Sequence, residues 1–362
     1  MKGSPAISLF KRLTSAPTAP FCEEANIRQV RLWARRRLGD EVRIRRLRGA
    51  LALAYRKTRG PSLVLAAHLD HPGFHLSSVT ARGARAKLFG GLPKEFLPGA
   101  EIEAFPARPK GNDPLARGVL EKERKGFFPV AWTSPPAGSR RPVFAVLALP
   151  PAQVRGRWLR SRSIDDVLGC ALCLEALRRV AASKARTNLT VLLHRAEEAG
   201  FVGALDLILS GVLDPGDSFI SIETSRRMPG ASPGKGPVIR TGDKAGLFDP
   251  NLVAFLDETA ARLAKRGLRF QRARLTGGTC EATAHQTFGL QAAGLAIPLV
   301  NYHNRGRTRV QPEMVRLDDI EPAARLLAEA AFRFPSAHLR GALRRRLRNI
   351  HRKHSPLLSK RF

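Results

Sequence analysis

The chain has 362 residues, 43% of them hydrophobic, four cysteines and a formal net charge of +32. That length suits one sizeable α/β domain with a smaller companion, and no stretch approaches the roughly 18 consecutive apolar residues of a membrane span. The opening segment, MKGSPAISLFKRLTSAPTAP, has an early lysine but no apolar core, so the expectation is no signal peptide and a cytoplasmic location.

Residues 23–38 place Ile27, Val30, Ala34 and Leu38 at helical spacing. Two alternating segments, near 42–47 and 50–56, lead to SLVLAAH at 62–68. This continuous apolar run ends in polar residues, as a buried parallel strand does at a sheet edge. The region from about 76 to 158 is rich in Gly and Pro, with short β-like runs (ARAKLF, AEIEAF, RGVLEK, FFPVAW, VFAVLAL) and no helical pattern. Beyond it the pattern alternates: helix at 167–182, strand at 188–194, helix at 201–210 and strand at 218–223. A helix near 250–266, strands near 268–274 and 292–297, and a helix at 318–334 follow. The expected fold is α/β, a doubly wound and mostly parallel sheet built from residues 1–75 and 159–338. A small all-β domain is inserted at 76–158, and a basic tail occupies 339–362.

Cys170 and Cys173 form a C-x-x-C inside an apolar stretch. No second cysteine pair completes a tetrahedral zinc site, so they read as buried thiols on a helix. The tail has no acidic residue after Glu329 and carries a dense Arg/Lys run. Such a run contacts nucleic acid or an anionic surface, or is a solvated extension in a chain rich in arginine. The arginine content elsewhere favours the second reading, and no RNA-recognition signature is present.

Polar residues cluster where the strands finish, the place at which open α/β sheets build their sites. His68, Asp70 and His71 follow the first apolar strand; Asp165 and Asp166 precede a helix; Glu197 and Glu198 follow the strand at 188–194. Glu223 closes the strand at 218–222, and His303 lies a few residues past the strand at 292–297. Singly, each has an ordinary reading: an exposed histidine, a helix cap, a solvated acid pair. Together they supply the imidazole and carboxylate donors of a two-metal centre. His68 and Glu223 serve one metal, Glu198 and His303 the other, and Asp165 bridges. Glu197 is then free to take a proton from water as general base, and Asp70 is placed to bond the other ring nitrogen of His68.

The order AHLDHPGF, SIDDVLG, HRAEEAGFVGA, SIETS, GPVIRTGDKAGLFDP, GGTCEATA, NYHN resembles the tetrahedral, glutamyl-type aminopeptidases, a family of di-metal zinc exopeptidases. The resemblance covers about residues 8–335. It implies metal ligation by His68, Asp165, Glu198, Glu223 and His303, with Glu197 as base. The gap of 97 residues between His68 and Asp165, filled by a β-rich insert, and the stretch FGGLPKEFLPGAEIEAF also resemble this family rather than its relatives. Departures from the family pattern are His71 for an acid, Val167 for an arginine, Glu223 for Asp, and Cys280-Glu281 for an Asp-Ala.

The resemblance implies two divalent ions, zinc first with cobalt or manganese as alternatives, peptide substrates, and a homo-oligomer, dimeric or dodecameric. A related deacylase or carboxypeptidase-type amidohydrolase stays open. So does a basic nucleic-acid-binding protein on a degenerate peptidase fold.

Overall fold

The computed structural model describes residues 4–334 and 341–359. The chain opens with helix α1 (Pro5–Thr14), whose Ala6, Leu9, Phe10 and Leu13 are buried. The sequence reading left this segment unassigned. Three of its turns place those four side chains on one face, and it packs against later helices as part of the core. Helix α2 (Glu24–Leu38) follows, then an antiparallel hairpin of β1 (Arg43–Arg46) and β2 (Ala50–Arg56), and β3 (Leu63–His68). Every residue of β3 is buried, as a continuous apolar strand covered on both faces must be.

Six strands then close into a barrel: β4 (Gly73–Ser77), β5 (Gly83–Phe89), β6 (Glu101–Phe105), β7 (Ala116–Leu120), β8 (Phe128–Ser134) and β9 (Phe144–Leu147). Phe74, Ile102, Leu120, Phe128 and Leu147 fill a hydrophobic core of its own. Closure removes the unpaired edges that such short strands would otherwise expose.

Past the barrel, β10 (Gln153–Arg155) and β11 (Trp158–Ser161) lead into α3 (Val167–Ala182), β12 (Asn188–His194), α4 (Val202–Leu209) and β13 (Ser218–Arg226). Then come β14 (Val238–Asp243), α5 (Pro250–Ala264), β15 (Gln271–Leu275), α6 (Glu281–Thr287), β16 (Gln291–Leu299), β17 (Glu313–Arg316) and α7 (Leu317–Arg333). The main sheet has eight strands in the order β1-β2-β12-β3-β13-β16-β14-β15. Its centre, β12-β3-β13-β16, is parallel, as is the β14-β15 pair. The fold is α/β, with a large, mostly parallel sheet and a small antiparallel barrel.

The boundary that matters most for the site is the end of β13. This strand does not stop at residue 222 or 223 but runs on to Arg226, because β16 pairs with it as far as Arg226 opposite Leu299. Its pairing with β3 ends at Ser221 opposite Ala66. Glu223 therefore stands inside a strand, at the point where β3 no longer covers that edge. The tail also acquires structure: α8 spans Gly341–His354, and a short turn of helix spans Ser355–Ser359. No described helix is long and apolar enough to cross a membrane.

Candidate metal centre

The strand ends bring the predicted residues into one pit. His68 ends β3 and is buried, and Asp165 sits in the loop before α3, joined to Asp166 by a cis peptide bond. Glu197 and Glu198 follow β12, while His303 lies in a tight turn after β16. Two triads result, His68–Glu197–Glu223 and Asp165–Glu198–His303, each with ligand atoms within 4.8 Å of one another. The carboxylate of Asp165 faces both: Oδ1 is 3.6 Å from His68 Nε2 and Oδ2 is 3.5 Å from His303 Nε2. Glu198 Oε1 is 3.1 Å from His303 Nε2.

Both imidazoles are oriented in the same way. His68 Nδ1–H donates to the main-chain oxygen of Asp70 at 3.1 Å, and His303 Nδ1–H donates to the main-chain oxygen of Gly91 at 3.2 Å. A carbonyl only accepts, so each Nδ1 carries a proton and each ring turns its Nε2 towards Asp165. Gly91 comes from the barrel, and a Cβ there would lie 2.6 Å from His303 Nδ1. The glycine in FGGLPKEF is thus required by the close approach of the histidine.

Asp70 adds a second task to its expected one. Its Oδ1 lies 3.6 Å from His68 Nδ1, an ion-pair distance. Oδ1 accepts from the amide of Glu197 at 3.0 Å, and Oδ2 accepts from the amide of Glu198 at 3.1 Å. The chain turns just past His68, where Leu69 N–H donates to His194 O. That turn lays the Asp70 carbonyl against the ring and sends the side chain to the next loop. Glu23 supports the same loop by accepting from the amide of Ala196 at 3.0 Å and from Arg195 at 2.8 Å. Three successive amides are held by buried carboxylates, which fixes where Glu197 and Glu198 point.

Glu313 was not singled out in the sequence. Its Oε2 accepts from the amides of Ile164 at 2.7 Å and Asp165 at 3.0 Å, and its Oε1 accepts from the amide of His303 at 2.9 Å. The turn it clamps is strained: Asn301, His303 and Asn304 have φ of 59°, 52° and 59°. One fully buried carboxylate therefore ties the Asp165 loop to the His303 turn. A lone Glu opening a short strand offers no sequence signal of this; only the fold brings residues 164 and 303 beside 313. Removing supports of this kind typically costs 10–100-fold in metal affinity, so Glu313→Ala should weaken metal uptake by about that factor. Titration with a chelator-buffered metal would measure it, and an unchanged affinity would show that Glu313 only holds the turn.

Burial and mutual repulsion shape the charges. Desolvation raises Glu197 well above the usual carboxylate range and Glu223 to about 8, with neighbouring acids adding to both. His68 is penalised by burial, yet Glu197, Asp165 and Asp70 outweigh this and raise its pKa well above 6.5. Burial works against ionisation of Asp165 as well, but His303 and His68 prevail and hold its pKa low. Asp165 Oδ1 is buried without a hydrogen-bond partner. Acids that repel one another, two imidazole Nε2 atoms facing one carboxylate and an orphaned carboxylate oxygen form a donor set that suits a pair of divalent cations.

The family departures have local explanations. His71 donates from Nδ1 to the Asp165 carbonyl, and its Nε2 lies 3.0 Å from Asn304 Oδ1, so it braces the Asp165 loop against the turn at 301–304. Glu281 is fully buried and pairs with His194 Nδ1 at 2.6 Å, a compensation visible only once β12 and α6 are side by side. Cys170 and Cys173 are free, buried thiols on α3. Beside the His194–Glu281 pair, His285 stacks on Phe219 with ring centroids 4.7 Å apart, and neither of its nitrogens is bonded. Burial, then the His194 charge, lowers its pKa to about 4.

The unfolded chain therefore binds this proton near pH 6.5 while the folded chain resists it. Stability is fully present above about 6.5 and is lost as pH falls towards 4, by about 3 kcal/mol from this group. Urea unfolding at both ends of that window should show the loss, and His285→Phe should flatten it. An equally steep profile in the variant would assign the effect elsewhere.

A cavity of about 40 Å³ opens beside Glu223 and Tyr302, lined also by Thr224, Arg240, Leu275 and Thr279. Tyr302 stacks on His303 with ring centroids 3.8 Å apart.

The geometry has a counterpart among known proteins. Residues 143–326 match the family model of the M42 glutamyl aminopeptidases. The chain belongs to this family. It is accordingly a peptidase, a hydrolase of the aminopeptidase type. A curated relative from Acetivibrio thermocellus is 22% identical over 315 residues, 80% of this chain and 88% of its own. Among solved structures, a TET aminopeptidase from Thaumarchaeota archaeon SCGC AB-539-E09 superposes with a TM-score of 0.75 at 20% identity, covering 91% of this chain and 97% of that one. The Pyrococcus horikoshii TET1 peptidase, which can assemble into a tetrahedron or a large octahedral shell, gives 0.72 at 20% identity, covering 90% and 99%. At these identities the likeness is one of fold.

Proposed function

We propose that this aminopeptidase removes N-terminal residues from peptides at a two-cation centre, held by His68, Asp165, Glu198, Glu223 and His303. The observation that carries the reading is Asp165, whose two oxygens face the Nε2 atoms of two separately oriented histidines. Mixed imidazole and carboxylate donors favour zinc, with cobalt or manganese able to replace it. Such cations, when bound, acidify water and polarise a carbonyl.

The residues have distinct tasks in this reading. Glu197 accepts a proton from the attacking water and returns it to the leaving amine. It also lies within reach of the His68–Glu223 triad, its Oε2 3.8 Å from His68 Nε2, so its freedom from the cations rests on the direction Asp70 gives its backbone. Asp70 is a positioning residue, buried and shielded from substrate. The cavity beside Glu223 is placed to meet the first residue of the substrate, with the buried Arg240, 4.0 Å from Asp243, in its lining. The solved relatives that form tetrahedral or octahedral assemblies support a homo-oligomer here.

A substrate panel tests the reading. Aminoacyl-anilides, glutamyl among them, should be cleaved, and N-acyl amino acids should not. Cleavage of the acylated set alone would make the protein a deacylase on the same centre.

A further inference from the structure

The tail contains an element that the metal centre does not use. Helix α8 has the sequence GALRRRLRNIHRKH, with five arginines, one lysine and no acid. Among the described residues, no carboxylate pairs with Arg346, Arg348, Arg352 or Lys353. Leu347 and Ile350 are 55% and 46% exposed, and Leu358 in the turn that follows is 86% exposed.

Leu347 and Ile350 are three residues apart and share one side of the helix. Arg348, Arg352 and Lys353 lie roughly 100–140° around the axis from Leu347. Leu347 and Ile350 thus share an exposed side with His354 between them, while Arg348, Arg352 and Lys353 lie away from it.

We propose that α8 docks on an anionic lipid surface, lying in the interface with Leu347, Ile350 and Leu358 towards the acyl chains. Charge complementarity requires a polyanion, and the exposed apolar side chains choose between polyanions. A polyphosphate strand has no use for three exposed aliphatic side chains, and single-strand binders stack bases on aromatic rings. No Phe, Tyr or Trp lies between Gly341 and Ser359. An interfacial helix needs both features at once, a basic face and an aliphatic one. Each cation near such a surface tightens binding about five-fold, so a short helix suffices.

The experiment uses the full chain and vesicles of phosphatidylcholine, with or without about a quarter phosphatidylglycerol. Co-sedimentation is expected with the anionic vesicles only, declining as salt is raised. A Leu347→Ser, Ile350→Ser double variant, shown by thermal melting to fold as the parent does, should bind about ten-fold more weakly. Equal binding by that variant would overturn the proposal, because charge alone would then account for it. Binding to a single-stranded RNA oligonucleotide without vesicle binding would overturn it in favour of nucleic acid, and binding to neither would leave the helix without this role. None of these readouts depends on peptidase activity.

Discussion

The Glu197→Gln variant is expected to keep its metals and lose about 10²–10⁴-fold in turnover, the usual contribution of a positioned general base. The substitution preserves shape and removes only the capacity to hold a proton. The backbone of Glu197 is fixed independently of its carboxylate, through Asp70 Oδ1 and the neighbouring contacts of Asp70 and Glu23 with residues 198 and 196. The loop should therefore stay in place, and loss of rate can be assigned to the missing base. Metal content by mass spectrometry and kcat on an aminoacyl-anilide are the two readouts. A kcat within about ten-fold of the parent would move proton transfer to another group. Loss of the metals would instead place Glu197 among the ligands, which its proximity to His68 and Glu223 makes a pointed alternative.

Removing divalent cations should abolish activity and lower the melting temperature together. The pit concentrates acids whose burial raises their pKa, Glu223 to about 8, and whose charges repel one another. Cations that bind only the folded chain add about 4 kcal/mol per site at a thousand-fold excess over Kd. A cation must displace protons from Glu223, His68 and His303, whose pKa values are all raised, so uptake releases protons at pH 7 and affinity rises with pH through about 8. Thermal melts with and without chelator, repeated across that range, would show the coupling. Zinc, cobalt or manganese should restore both properties. A melt and an activity untouched by exhaustive chelation would end the two-cation reading.

Much of the α/β core was legible because its strands are long apolar runs and its helices have clear periodicity, as at 62–68 and 167–182. Strand β14 and helix α6 were missed. Residues 238–243, VIRTGD, have two apolar residues followed by a polar run, and α6 has only seven residues, too few to show a period. At the site, histidines and acids at strand ends were legible as donors. What supports them was not: Glu313 is 148 residues from Asp165, and Glu281 is 87 from His194. The barrel's contribution through Gly91 is likewise invisible without the fold, since a glycine in a loop signals a turn before it signals contact with a histidine.

The sequence by itself determined that strands and helices alternate, that a β-rich segment interrupts them, and which side chains can bind cations. These follow from local rules, since periodicity and donor chemistry belong to short stretches of chain. Tertiary structure alone decided that Asp165 faces two imidazoles, that Asp70 also holds the Glu197 and Glu198 amides, and that Glu313 joins two remote loops. Those are distances between segments brought together by folding, set by strand register and by the loops that close on it. The metal-seeking residues were written in the chain, and their orientation was not.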